Sequence, residues 1–186
     1  MMRRQALAAL RLLLVLSLVL GVLYPLAVTA VARLAMPGQA GGSLIRLGDR
    51  VVGSSLLCQQ LTGPEWFHGR PDACDPAASG PTNLGPSSEE LARAVAASVA
   101  AVRAADPADG PIPADAVSGS GSGLDPHISP EYARMQVPRV AGARGLPESE
   151  VLALVEQFIE GRTLGFLGEP RVNVFLLNLA LIGPQP

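Results

Sequence analysis

Apolar and polar positions divide this chain into two regimes. From Leu12 to Ala32 twenty-one consecutive residues, LLLVLSLVLGVLYPLAVTAVA, carry no charge, with Arg11 before them and Arg33 after. At about 1.5 Å per residue such a helix spans roughly 31 Å, close to the ~30 Å hydrocarbon core of a bilayer. Lipid offers the backbone no hydrogen bonds, so the stretch is expected to be a spanning helix. Gly21 and Pro25 are poor choices in a soluble helix but common in spanning ones.

Beyond residue 43 the apolar residues come in short periodic groups. Leu91, Val95, Val99 and Val102 recur at helical spacing behind a Ser87-x-x-Glu90 capping box, which predicts a helix capped by Ser87 and ended by Asp106-Pro107. Ser129 as N-cap, Pro130 and Glu131 start a second helix; Pro138 should kink or restart it and Gly145 stop it. Pro147 and Glu148 open a third, with Val151, Leu152, Val155, Phe158 and Ile159 on its buried face and Gly161 at its close. Val51-Val52-Gly53 reads as a strand or a short helix start, and Ala114 to Ser118 as a short strand. Arg171 to Ile182 (RVNVFLLNLALI) predicts a central strand with room to turn helical near its end, its Asn173 and Asn178 on opposite faces. Gly63 to Gly85 holds four prolines among Gly, Asn, Asp and Ser, and Pro107 to Pro113 reads as a linker. The predicted class is α+β: one transmembrane helix followed by a single loop-rich domain.

Charge sets the expected orientation. Arg3, Arg4 and Arg11 precede the span and a lone Arg33 follows soon after. The positive-inside bias puts residues 1–11 in the cytoplasm, 12–32 across the membrane, 33–42 in a hinge, and 43–186 outside the cell or in the periplasm. A secretory signal cleaved near Ala30-Val31-Ala32 is the competing reading. Its apolar core would run roughly 7–15 residues, shorter than this one. Both readings export the domain.

Composition narrows the function. The formal net charge is −2 with basic residues spread out, so nothing marks a nucleic-acid surface. Gly 20, Pro 17 and only 4% aromatics describe a loop-rich domain rather than an aromatic-lined cleft. Cys58 and Cys74 would lie where a disulfide persists, and a bridge would stabilise by ~3 kcal/mol; two unrelated thiols are the alternative.

Candidate chemistry is sparse. His68 and His127 are the only histidines, and no H-x-x-x-H, C-x-x-C or G-x-S-x-G spacing occurs, so neither a metal site nor catalysis by this chain is expected. Two loops stand out. One carries Trp66, the only tryptophan, with Phe67, His68 and Arg70, and runs on to Asn83; a long loop with an aromatic anchor reads as a docking element. The other, Ser120-Gly121-Ser122-Gly123-Leu124-Asp125, has glycines that let backbone N–H groups approach an anion, but no P-loop lysine follows and the chain has no lysine at all.

Several motifs, taken in order, resemble one family. YPL at Tyr24–Leu26, GSLI at Gly42–Ile45, FHGRP at Phe67–Pro71, ASG at Ala78–Gly80 and NLGP at Asn83–Pro86 all fit it. So do SGSGLDPHISP at Ser120–Pro130, Gln136, RVA at Arg139–Ala141, and the VNV and LNLAL near Val172–Leu181. The chain is similar to the KdpC family, C subunits of bacterial Kdp potassium-transporting P-type ATPases. Gly41, Cys58, and Pro81-Thr82 depart from the Asn, Gly and Gly-Ser usual in that family.

The resemblance implies a single-span accessory subunit of the inner membrane. Its implied partners are a channel-like potassium-binding subunit, the P-type ATPase pump subunit, a small fourth subunit, and the bilayer. It implies a catalytic chaperone that raises the pump subunit's ATP affinity, with the Ser/Gly loop and Gln136 as nucleotide contacts, while potassium is handled by the complex. An outside domain cannot touch cytoplasmic ATP, so the expected role is non-catalytic, with no cofactor held firmly. A nucleotide-binding regulator with a cytoplasmic domain and an exported soluble binding protein are the alternatives.

Overall fold

The structure is a computed structural model describing residues 2–72, 74–107 and 110–183. Its contacts divide the chain into two units, one ending at Leu44 and the other beginning at Ile45.

The first unit is one long helix, α1 (Met2–Ala35), which overruns the uncharged stretch at both ends. Pro25 has no N–H and its ring crowds the preceding turn. The helix answers with a π stretch, Val19–Leu23, in which Tyr24 N–H reaches back to Val19 O. Thr29 Oγ1 donates to Pro25 O at 2.7 Å, giving the hydroxyl a partner inside the helix where lipid offers none. Within the expected hinge, Met36 breaks the helix and Pro37–Ala40 forms a single turn.

The second unit is α+β. Strands β1 (Leu44–Leu47) and β2 (Arg50–Ser54) pair across a turn at Gly48-Asp49, so Val51-Val52-Gly53 is strand. A Cβ on Gly53 would come within 2.7 Å of the Phe175 ring and 2.6 Å of Gln59 Nε2, so only glycine lets β2 lie this close. Helix α2 (Glu89–Ala105) has Val102 buried and Leu91, Val95 and Val99 half-buried. Its N-cap is Ser88, not Ser87: Ser88 Oγ accepts from Leu91 N–H at 3.3 Å, one register later than the capping box suggested. Ala114–Ala116 is a 3₁₀ turn rather than a strand, because Asp115 is turned to accept both Ser129 N–H (2.6 Å) and Ser129 Oγ–H (2.9 Å). Residues 108 and 109 of the expected linker lie outside the described residues.

Strand β3 (His127–Ile128) leads into α3 (Pro130–Met135), capped by Ser129, whose Oγ accepts from Tyr132 N–H. The chain restarts as α4 (Val137–Arg144) with Pro138 in its first turn, as expected. Gly145 ends α4 at φ 66°, with Leu146 N–H reaching back to Ala141 O. Helix α5 (Glu148–Gln157) buries Val151 and Val155, but Leu152 faces out at 40% exposure and the helix stops at Phe158 rather than Gly161. Ile159 and Glu160 form β4 (Ile159–Glu160), since sheet pairing outweighs their helical periodicity.

Arg171 to Ile182 departs most from expectation. Only β5 (Arg171–Asn173) is strand; it is the central strand, antiparallel to β3 and β4, and puts Val172 between Ile128 and Ile159. Helix α6 (Val174–Ile182) follows at once, started by Asn173, whose Oδ1 accepts from Leu176 N–H at 3.1 Å. A fully buried run of this length reads alike as strand or helix. The core lies between the sheet, α3 to α6 and Phe67.

Candidate functional site

Phe67 and His68 are held by two amides distant in sequence. Asn178, on α6, accepts Phe67 N–H on Oδ1 (2.9 Å) and donates Nδ2–H to Phe67 O (2.8 Å). Gln136, between α3 and α4, repeats the arrangement on the next residue: Oε1 accepts His68 N–H (2.7 Å) and Nε2 donates to His68 O (3.0 Å). The two amides do for this loop what neighbouring strands do for a strand.

Arg139 completes the clamp. Its Nε donates to Asp106 Oδ1 (2.7 Å), Nη1 to Pro64 O and Trp66 O, and Nη2 to Gln136 Oε1. The Arg139 and Asp106 side chains are only 9% and 4% exposed, so this is a buried ion pair whose guanidinium is satisfied by carbonyls as well. Trp66 is half-buried, with the Arg144 guanidinium 4.5 Å from its ring centroid. Arg144 Nε also donates to Glu65 O (2.7 Å). Burial, then the nearby Arg139 charge, pushes the His68 imidazole below its usual 6.5; its Nε2 lies 3.0 Å from Gly63 O.

Arg70 and Asp72 join this loop to the Ser/Gly loop. Arg70 Nε donates to Ser118 O (3.1 Å) and Nη2 to Gly119 O (2.8 Å); Asp72 Oδ1 accepts Ser120 N–H (2.8 Å). A Cβ on Gly119 would land 2.8 Å from that carboxylate oxygen. Inside the loop, Gly123 N–H bonds Ser120 Oγ, Leu124 N–H bonds Ser122 Oγ, and His127 N–H bonds Asp125 Oδ1. On the outside, Ser122 O accepts from Gly80 N–H, Gly123 O from Cys74 N–H, and Leu124 O from Cys58 N–H. Cys58 and Cys74 are bridged, so one disulfide ties together two segments that both bond to this loop.

This geometry bears on the chemistry. A phosphate held by backbone needs N–H groups aimed outward. Those of Ser120, Gly123, Leu124 and His127 point instead at side-chain oxygens, and Asp72 and Asp125 place carboxylates at the loop. Gln136 is 0% exposed and bonds to His68 and Arg139, not to any residue of this loop. Asp125 pairs with His127 Nδ1 at 2.8 Å, and that hydrogen bond holds its carboxyl below the usual 3.8. Ser129 donates its hydroxyl to Asp115 rather than to the His127–Asp125 pair. Among the described residues no group of three or more His, Cys, Asp or Glu is placed to hold a metal.

Of the residues singled out from sequence, Trp66, His68 and Arg70 are half-buried and Phe67 is 1% exposed; Asn83 is exposed at φ 56°. Sequence reading missed the hubs Arg139, Asp72 and Asn178. Arg139 stood in the RVA motif and Asn178 was noted only for its parity.

A family profile described as "KdpC: K+-transporting ATPase, c chain" matches residues 6–182. The chain belongs to the KdpC family. Proteins named potassium-transporting ATPase KdpC subunit are similar to it along nearly their whole length. The one from Sorangium cellulosum (strain So ce56) is 57% identical, covering 95% of this chain and 96% of that relative. Those from Caulobacter vibrioides (strain NA1000 / CB15N) and Kineococcus radiotolerans are each 53% identical. The first covers 91% of this chain and 88% of itself, the second 98% and 95%. A KdpC family domain thus presents its two sequence-marked loops as one cross-linked body.

Proposed function

We propose that this chain is the non-catalytic accessory subunit of an ATP-driven potassium uptake complex, with α1 in the inner membrane, residues 1–11 in the cytoplasm, and the α+β domain outside. Its partners are a channel-like potassium-binding subunit, the P-type pump subunit and a small fourth subunit. Gly21, Ala27, Thr29 and Ala30 are small residues that let other spanning helices approach closely. The domain caps the potassium entry side, stabilises the assembly, and raises the pump subunit's ATP affinity through the partners, since ATP and this domain lie on opposite sides of the membrane.

The observation that carries this reading is the Cys58–Cys74 bridge, because disulfides persist in oxidising compartments and are rare in the cytoplasm. The arginine excess before the span supports the same orientation. The test is labelling of an Ala143→Cys variant, at an exposed position of α4, by a membrane-impermeant maleimide in intact cells. Labelling from outside is expected. Labelling only after lysis would refute the orientation and favour a nucleotide-binding cytoplasmic domain. Mass analysis of the mature N-terminus should show an uncleaved chain.

A further inference from the structure

The loop joining β4 to β5 is larger than the fold needs. It runs over residues 161–170, ten residues where a hairpin ordinarily uses 2–5. All ten are exposed, and the tip carries Leu164 at 79%, Phe166 at 68% and Leu167 at 48% exposure. Three large apolar side chains within four residues, all exposed in one loop, are not the scattered surface leucines of an ordinary domain.

The finger is built to hold one shape. Thr163 and Leu167 exchange backbone hydrogen bonds at 2.9 Å in both directions, and Gly165 N–H returns to Arg162 O at 3.0 Å. Leu164 is held at φ 55°, a region L side chains rarely adopt, between a paired Thr163 and Gly165 at φ 82°. At the base Arg162 pairs with Glu169, and Arg171 with Glu160.

Two occupants come into question, a bilayer surface and a protein. A bilayer is indifferent to the detailed shape of what enters it, and loops that bind it draw on unpaired Lys or Arg facing anionic lipid. Here each basic residue of the base has an acidic partner, and the tip is fixed in a strained conformation. Both features fit a shaped socket. A pre-shaped apolar anchor entering a dry pocket is how a few residues dominate an interface.

We infer that Leu164, Phe166 and Leu167 form a docking knob for an apolar socket on the extracytoplasmic face of another subunit of the potassium-transporting ATPase. The inference rests on the accessory-subunit reading above and names its contact.

The test uses the full-length chain expressed with the rest of the ATPase, purified through a tag on another subunit. The photoreactive benzoylphenylalanine is placed at Phe166 and irradiated in native membranes. A covalent adduct to another ATPase subunit is expected. Leu164→Ser/Phe166→Ser/Leu167→Ser should lower retention of the chain roughly tenfold or more. Unchanged Trp66 emission would show that this variant's domain is folded. Adducts with lipid alone, adducts with a second copy of this chain, or full retention of the triple variant would overturn the knob. Failure of the unsubstituted chain itself to co-purify would overturn the accessory-subunit reading, and the inference with it.

Discussion

Gln136→Leu separates a structural amide from a ligand contact. Leucine nearly matches the volume of glutamine but cannot hydrogen-bond, so His68 N–H, His68 C=O and Arg139 Nη2 each lose a partner. The amide orientation is not open to choice. His68 N–H and the guanidinium can only donate, so Oε1 must face them and Nε2 must face the carbonyl. A buried polar group left unsatisfied costs about 1–3 kcal/mol. Three such groups, discounted because half-buried His68 admits some water, give roughly 3–5 kcal/mol, a large share of the ~5–15 kcal/mol typical of a domain. The assay is urea unfolding of the full-length protein in detergent micelles, followed by Trp66 emission. Trp66 is the only tryptophan, and its carbonyl is held by the same Arg139 that bonds Gln136. With a urea dependence of about 2 kcal/mol per molar, the midpoint should fall by roughly 2 M. A shift below about 0.3 M, with an altered ATP dependence of the assembled complex, would refute the argument and make Gln136 a ligand residue.

Reduction of the disulfide, or Cys58→Ser with Cys74→Ser, should remove ~3 kcal/mol for a bridge closing a 16-residue separation, read as a lower urea midpoint in reductant. Acid should destabilise the domain in two windows. The folded His68 takes its proton below 6.5 while the unfolded chain takes it near 6.5, so stability falls as pH drops through about 6.5, and His68→Gln should flatten that slope between about pH 7.5 and 5.5. Asp125 contributes stability present above its unfolded value of 3.8 and lost as pH falls through its lower folded value, so Asp125→Asn should remove the second window. Gly53→Ala forces a methyl against the Phe175 ring and Gln59, and should cost about 1–3 kcal/mol in the same unfolding assay.

Legibility differed by the range of the interaction. The Ser129 cap, the restart at Pro138 and the stop at Gly145 were readable because each works within a turn or two of its own residue. The shift from Ser87 to Ser88, and the early end of α5 where Ile159 joins Val172, were not readable. In each, the local signal allowed two answers, and the packed structure selected one. The two marked loops are bonded to each other and to the core. Their inward use was hidden, since the partners of Phe67 and Arg70 lie 111 and 48 residues further along the chain.

The amino-acid order alone determined that an uncharged stretch long enough to cross a bilayer leads into an α+β domain, and which family the chain resembles. Those features depend on charge, length and short-range spacing, which a linear string displays directly. Tertiary structure alone decided that Cys58 meets Cys74, that Gln136 and Asn178 clamp Phe67 and His68, that the Val/Leu-rich run turns helical after Asn173, and that Phe166 stands exposed. Each of these depends on which distant group lies within hydrogen-bond or packing distance, and only the folded chain brings such groups together.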